Sequence, residues 1–186
     1  MKFFSITLII ILIPFKSFGL IEVDITRGNL NPLPVAVSPL SIDEDSRKNF
    51  ENIIKKKNIG LEISLIVENN LRISGLFNPL NKDAFLQAPD IANLKPRFED
   101  WNLIKAQALI TGKVSYVEEK LRVEFRLWDV LAGKEMMALA FTTVPNNWRR
   151  VGHIITDKVY ERLTGEKGYF DTRIIYVAEE GPKTQR

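Results

Sequence analysis

Three consecutive stretches of alternating apolar and polar residues in the second half of the chain constrain the fold most strongly. The alternation runs from Ala108 to Tyr116, from Leu121 to Leu127 and from Met137 to Phe141. Short turns at Glu118-Glu119 and Leu131-Ala132-Gly133 join the three stretches. A period of two residues indicates strands with one buried face, and short turns join antiparallel neighbours. The sequence therefore predicts a three-stranded antiparallel meander with one buried face.

Two segments with helical periodicity flank this meander. Gly60 to Ser74 places its apolar residues on one side, and Gly75 follows as a helix terminator. The second helix follows Asn146 or Asn147, either of which can cap it, and ends at Gly165. Its apolar stripe is formed by Trp148, Val151, Ile155, Val159 and Leu163. A shorter amphipathic helix is predicted from Phe98 to Lys105, around Trp101.

The remaining segments give weaker signals. The run from Pro34 to Pro39 is apolar and bounded by prolines, which predicts a strand that ends at them. Residues 41–59 are polar and predict a loop with one helical turn at most. Residues 77–80 predict a turn, and 81–96, with two prolines, a surface loop. The fold class predicted is α/β (α+β-like): a small mixed sheet with two main helices packed on one face.

The amino terminus has the pattern of a cleavable secretion signal. Lys2 precedes an apolar run from Phe3 to Ile13, and Ser17-Phe18-Gly19 supplies small residues for cleavage before Leu20. The run is too short to span a membrane, since a spanning helix needs about 20 apolar residues. We therefore expect residues 1–19 to be removed and the mature chain to be secreted.

Composition excludes several classes of function. The chain has no cysteine, which rules out disulfides and thiolate zinc sites, and His153 is its only histidine. Lys2 and Lys16 belong to the signal, so 24 basic and 23 acidic residues remain, a net charge of +1. That charge and the lack of a basic stripe with aromatics disfavour nucleic-acid binding. Motifs for phosphate, dinucleotide or catalytic zinc binding are also missing, so no cofactor is expected.

Three segments carry a resemblance to the TolB family. Ser74 to Leu80 (SGLFNPL) resembles the family's SG-x-F-x-PL turn, and Trp148 to His153 (WRRVGH) resembles its W-R-x-x-x-H helix start. Leu163 to Val177 (LTGEKGYFDTRIIYV) resembles its LTG-x-x-G-x-F-x-TRI-x-Y-V junction, which is the most specific of the three. Their order, together with the secretion signal, extends the resemblance over the whole mature chain.

The resemblance implies a domain plan and a function. The family joins an amino-terminal α/β domain to a six-bladed β-propeller, so we expect residues 1–19 as signal, 20–168 as the α/β domain and 169–186 as the start of a truncated propeller. Arg173 to Val177 would be that propeller's first strand. Members link the inner-membrane protein TolA to the outer-membrane lipoprotein Pal, which maintains the envelope and supports outer-membrane invagination at division. Pal binds the propeller, and its occupancy switches the amino-terminal segment between bound and free states.

The partner-binding site that the resemblance implies is the first mature segment. It consists of Leu20, Ile21, Glu22, Val23, Asp24, Ile25 and Thr26, and it would bind TolA. From the alternation of Ile21 to Thr26 alone, two interpretations remain open. The segment is either an ordinary edge strand or an extended terminus that adds to a partner's sheet edge.

Other candidate residues favour structural roles. His153 lies on the helix that carries the apolar stripe, and no serine motif such as G-x-S-x-G is present, so a hydrogen-bonded structural histidine is favoured over a general base. Asp43, Glu44 and Asp45 do not have calcium-loop spacing and predict a solvated loop, as does Lys55-Lys56-Lys57.

The three tryptophans, Trp101, Trp128 and Trp148, are expected in or beside the core. Trp128 falls on the polar side of its strand, where it would cover a neighbouring element or face the propeller. Two other functions remain alternatives to the adaptor: a periplasmic hydrolase, and a small α/β nucleic-acid-binding module.

Overall fold

Six strands and five helices are the main elements of residues 31–172, the part of the chain that this computed structural model describes. In chain order the strands are β1 (Leu33–Val37), β2 (Ser41–Ile42), β3 (Phe77–Pro79), β4 (Ala108–Val117), β5 (Lys120–Asp129) and β6 (Lys134–Thr143). The helices are α1 (Glu44–Ile54), α2 (Ile59–Ile73), α3 (Pro89–Leu94), α4 (Phe98–Leu103) and α5 (Trp148–Thr164). Short 3-10 turns occupy Lys82–Ala84 and Pro145–Asn147.

All six strands belong to one mixed sheet. The order is β3-β1-β4-β5-β6, and β2 follows β1 along the same side of β4. Strands β1, β2 and β3 form parallel pairs, whereas β4, β5 and β6 form the predicted antiparallel meander. The strand predicted between Pro34 and Pro39 is confirmed as β1, although it begins at Leu33 and so includes Pro34. The mixed sheet predicted from the sequence is therefore confirmed.

The larger core lies between this sheet and the two long helices, α2 and α5, as predicted. Their buried apolar residues include Ile63, Val67, Leu71, Ile155, Val159 and Leu163. These side chains pack against the alternate residues of the meander that begin with Ile110 and Val123. Burial of each such side chain contributes about 1.5–3 kcal/mol, so this layer is the main source of stability.

The opposite face of the sheet is also covered, which corrects the prediction of a single buried face. Leu109 points away from the larger core and joins Ala92 of α3, Trp101 of α4 and Val130 in a second cluster. Successive residues of a strand point to opposite faces, so β4 is buried on both sides. The two short helices α3 and α4 therefore cover the sheet face that was predicted to be exposed to solvent.

The loop predicted for residues 41–59 is wrong, because it contains β2 and the three-turn helix α1. Asp43 caps α1 through a hydrogen bond that its Oδ1 accepts from the Ser46 amide at 2.9 Å. Only Ser46 and Phe50 of α1 are buried. Phe50 meets the ring of Tyr116 edge-on at 5.5 Å, and the Ser46 hydroxyl accepts a bond from the Tyr116 amide. One large apolar side chain is too few to produce a visible stripe.

Residues 77–96 also differ from prediction. The predicted turn at 77–80 contains β3, which pairs in parallel with β1 and lies at the sheet edge, where a proline is tolerated. The predicted surface loop at 81–96 contains a 3-10 turn and α3. Gln87 within it is buried, and its Oε1 accepts bonds from the Trp101 indole and the Arg97 amide, both at 3.0 Å. This segment therefore supports the second cluster.

The predicted helix ends are mostly confirmed. Gly75 and Gly165 follow α2 and α5 with φ of 74° and 75°, a conformation that favours glycine. Asn147 occupies the N-cap position of α5, but its side chain makes no capping hydrogen bond to the helix. Its amide instead donates to the Thr143 hydroxyl at 3.1 Å, which ties the helix start to β6.

Candidate protein-interaction sites

The segment predicted to bind a partner, Leu20 to Thr26, lies outside the described residues. The strand that follows it along the chain, β1, is in the interior of the sheet. It pairs with β3 on one side and β4 on the other, and Leu33 at its start donates to the Leu76 carbonyl. Both neighbouring positions of β1 are thus filled. A further strand therefore cannot pair beside β1.

Strand β6 is an edge of the sheet within residues 31–172. It pairs there with β5 on one side, and a register irregularity lies next to Leu127 and Trp128. Ala138, Leu139 and Ala140 in its middle are exposed. An edge strand presents backbone donors and acceptors to an added strand, so β6 is chemically able to receive one.

The chain segment that follows α5 folds back onto this helix. The Asp157 carboxylate accepts hydrogen bonds from the backbone amides of Phe170, at 2.6 Å, and Asp171, at 3.0 Å. Arg150 binds the Asp171 carboxylate through both Nε and an Nη, at 3.0 Å and 3.0 Å. This contact raises the pKa of the Arg150 guanidinium. The segment is therefore held at two points that are two helical turns apart.

Aromatic packing adds a third attachment for this segment. The rings of Tyr169 and Phe170 stack at 4.5 Å, and both meet Tyr160 of α5 edge-on, at 5.5 and 5.8 Å. Tyr160 also contacts Phe77 of β3 at 6.1 Å, and its burial raises the pKa of its hydroxyl. The returning segment is consequently continuous with the main core.

His153 is hydrogen-bonded, as predicted for a structural histidine. Its Nδ1 lies 2.9 Å from the side-chain nitrogen of Asn70, which also donates to the Thr156 hydroxyl at 3.1 Å. An amide nitrogen can only donate, so Nδ1 is the acceptor in this contact. The arrangement joins α2 to α5, and a serine nucleophile is not among these partners.

The acidic group predicted as a solvated loop is instead the start of α1. The Ser46 amide lowers the pKa of Asp43, and Lys113 lies 3.7 Å from its carboxylate. Both residues line an open cleft of about 330 Å³ together with Ser41, Ile42, Asp90, Asn93 and Leu94. Within residues 31–172, histidines, cysteines and acids do not form a cluster of three that could hold a metal ion.

The tryptophans lie in or beside the cores, as predicted. Trp101 and Trp148 are buried, and Trp128 is partly buried against Phe98 of α4 at 5.8 Å. Trp128 therefore covers a neighbouring element, which was one of its two predicted roles. In the basic run, Lys56 pairs with Glu62 at 2.9 Å and lies 5.6 Å from the Trp148 ring.

The sequence did not single out Asp157 or Asp171, and it indicated Gly168 only as one residue of the junction that resembles the family. Asp157 is a charged residue on the flank of a helix, a position that is usually solvated. Its role depends on the chain reversal after Gly165, which brings residues 13 and 14 positions later to its carboxylate. Local periodicity carries no signal for such a contact.

Comparison with known proteins gives consistent results. Residues 21–136 match the sequence model of a family described as the TolB amino-terminal domain. The Tol-Pal system protein TolB of Pelagibacter ubique (strain HTCC1062) is 82% identical over 179 residues, which cover 96% of this chain. Those residues span 40% of that protein, so the chain is much shorter than this relative.

A solved structure shares the fold. The crystal structure of TolB from Acinetobacter baumannii superposes with a TM-score of 0.59 at 21% identity, over 74% of this chain and 30% of that one. At this identity the match concerns the fold alone. Within residues 31–172, we find no helix that is long and apolar enough to cross a membrane.

Proposed function

The chain belongs to the TolB family, and on that premise we propose that it is a periplasmic adaptor of the Tol-Pal system. Its mature amino-terminal segment, Leu20 to Thr26, binds the inner-membrane protein TolA. The secretion signal at residues 1–19 delivers the chain to the periplasm. The adaptor links TolA to the outer-membrane lipoprotein Pal, which maintains the envelope and supports outer-membrane invagination during division.

The observation that carries this proposal is the interior position of β1. Strand β1 pairs with β3 on one side and with β4 on the other, so a further strand cannot be added beside it. The proposed partner-binding segment alternates apolar and polar residues from Ile21 to Thr26 and carries no proline. Such a sequence suits addition to another protein's sheet edge, where main-chain hydrogen bonds supply affinity.

The assignment of domains follows the same premise. We infer a signal at 1–19, an α/β domain at 20–168, and the start of a β-propeller at 169–186. Pal would bind the propeller that relatives carry, beyond the residues of this chain. The domain described here would then report Pal occupancy to TolA through its amino-terminal segment.

We also infer that the protein is not an enzyme. His153 is the only histidine, and its Nδ1 is engaged by the Asn70 amide. Catalysis by a histidine base would require a nucleophile within hydrogen-bond reach and a group that orients the ring. In the cleft beside α1, Asp43 serves as a helix cap and pairs with Lys113, so these two groups have structural roles.

The test is a binding measurement with the periplasmic domain of TolA. The mature chain beginning at Leu20 is compared with a chain beginning at Arg27, which lacks only the proposed segment. We expect retention of TolA by the first chain and at least tenfold weaker binding by the second, a loss of about 1.4 kcal/mol or more. Equal binding by both chains would refute the site, and no binding by either would refute the partner.

A matched pair of substitutions tests whether binding of TolA depends on the apolar residues of the segment or on its charged residues. Val23→Lys disrupts the apolar row and should abolish retention, whereas Glu22→Gln on the alternate face should have a small effect. Retention of RNA that weakens with salt, or hydrolysis that His153→Ala removes, would support the alternative functions instead.

A further inference from the structure

The strongest unassigned feature is the return of the chain along α5 after the helix ends. Gly165 reverses the chain, and residues 166–171 then run back toward the start of the helix. The contacts extend from Asp157 to Arg150, which is about 10 Å along a helix. We call residues 166–171 the return segment. Its contacts are specific enough to distinguish it from a flexible linker.

Asp157 holds the return segment by its backbone. Both carboxylate oxygens are used, one for the amide of Phe170 and one for the amide of Asp171. Hydrogen bonds from amides to a carboxylate are about twice as strong as neutral ones. Because the bonds go to the main chain, they fix the direction of the backbone rather than the position of one side chain.

Gly168 allows the close approach that these bonds require. A Cβ on this residue would lie 2.4 Å from Cα of Asp157 and 2.6 Å from its Cβ. Real Cβ atoms do not approach backbone atoms so closely, and a helix backbone cannot move aside cheaply. The return segment therefore passes directly over Asp157.

Two further contacts orient the end of the segment. The planar guanidinium of Arg150 engages both oxygens of Asp171, a geometry that restricts rotation as well as distance. Phe170 packs against the main core and stacks on Tyr169. The chain thus reaches Thr172 with its backbone, a side chain and an aromatic ring all fixed to α5.

We propose that Asp157 is a positioning residue that sets the direction in which the chain leaves this domain at Thr172. The return segment is fixed to α5 at several points, so the backbone at Thr172 has a defined position and direction relative to the sheet. This inference deepens the proposed function, on which it rests, because an adaptor that reports occupancy of a following domain needs a fixed junction. The experiment that tests this inference does not use TolA, so its failure can be distinguished from a failure of the proposed TolA binding.

The experiment measures the direction of exit. The chain has no cysteine, so Thr172→Cys and Ala140→Cys, both at exposed positions, give two unique spin-label sites. We expect a narrow distance distribution in the otherwise unchanged chain. Asp157→Ala should broaden it at least twofold, and Asp157→Asn, which retains one acceptor oxygen, should broaden it less. A distribution equally narrow in Asp157→Ala would overturn the proposal.

A control and a second readout keep the test independent of general stability. Lys158→Ala, next to Asp157, removes an exposed side chain whose hydrogen bond goes to Glu161 and not to the return segment, and it should leave the distribution unchanged. Trypsin should cleave after Lys167 on the order of tenfold faster in Asp157→Ala, since the return segment detaches more often. Broadening by Lys158→Ala equal to that by Asp157→Ala would also count against the proposal.

Amide exchange in the unaltered chain covers the case in which Asp157→Ala does not fold. The amides of Phe170 and Asp171 should exchange as slowly as those in the middle of α5, because both donate to the Asp157 carboxylate. Exchange of these two amides at the rate of a free peptide would show that the segment is a mobile linker.

Discussion

Asp43 combines a helix cap with an acid-dependent contribution to stability. Its carboxylate accepts from the Ser46 amide, which lowers its pKa below the usual 3.8. A depressed pKa in the folded state means that the stabilisation is present above pH 3.8 and is lost as the pH falls through the folded value. The aspartate therefore contributes most at neutral pH.

Replacement of Asp43 by alanine should lower the free energy of unfolding by about 0.5–2 kcal/mol at pH 7. The deficit should narrow as the pH falls below about 3.8, because the unaltered chain loses its charged cap. Urea unfolding at several pH values measures this. Asp43→Asn is the control, since it keeps an uncharged cap; a deficit that is constant with pH would contradict the account.

The contact between Asn70 and His153 makes a second prediction at the residue scale. Asn70 is 8% exposed, and its amide has two donors, one for His153 and one for Thr156. His153→Ala leaves one donor without its partner and should cost about 1–2 kcal/mol of unfolding free energy. Retention of TolA should be unchanged.

A double-mutant cycle tests the origin of that cost. Asn70→Ala together with His153→Ala should cost less than the sum of the single changes, because the unpaired donor is removed as well. Thermal unfolding of the four chains provides the comparison. Strictly additive effects would mean that the hydrogen bond contributes nothing.

At the scale of elements, the crossing of α2 and α5 depends on Gly152. A Cβ there would lie 2.8 Å from Cγ2 of Ile66, so the two helices meet where one has no side chain. Alanine is favoured over glycine within a helix by about 1 kcal/mol, whereas overpacking costs about 1–3 kcal/mol. We expect Gly152→Ala to destabilise the domain.

Truncation of Ile66 removes the Cγ2 atom that a Cβ on residue 152 would overlap with, and it therefore distinguishes overpacking from other causes of destabilisation. In the Ile66→Ala background, Gly152→Ala should become neutral or stabilising, because the space is free and helix propensity then decides. Chemical denaturation of the single and double variants measures the change. A destabilisation of the same size in both backgrounds would exclude the packing explanation.

The elements that the sequence predicted are those with a wide buried face. The meander, α2 and α5 each bury several apolar side chains at a regular period. The spacing of apolar residues in the sequence therefore predicts which side of each element faces the core. Helix α1 was missed because Phe50 is its one large buried side chain. Strand β3 was missed because three residues that include Pro79 cannot display a period.

The second buried face and the return segment were missed for a different reason. Leu109 is an apolar residue in a strand row that is otherwise polar, and only its contacts with the distant helices α3 and α4 show that this row is covered as well. The bonds of Asp157 likewise join residues across a chain reversal. Contacts of this kind arise from tertiary structure and leave no local pattern.

At the scale of the whole molecule, the start of β1 and the return segment both lie along α5. Strand β1 begins beside Phe77, which contacts Tyr160, whereas the return segment ends at Arg150, ten residues earlier on the helix. A separation of ten residues corresponds to about 15 Å. The return segment has contacts at both positions, since Phe170 also meets Tyr160.

The central claim is that the segment Leu20 to Thr26 binds TolA, whereas the folded α/β domain does not contact it. Residue-resolved NMR tests this claim most directly. The mature chain beginning at Leu20 is labelled with ¹⁵N and titrated with the periplasmic domain of TolA. We predict that amide signals of Leu20 to Thr26 shift, while those of α5 and the meander keep their positions. Shifts concentrated on β6 or α5, with residues 20–26 unchanged, would contradict the claim.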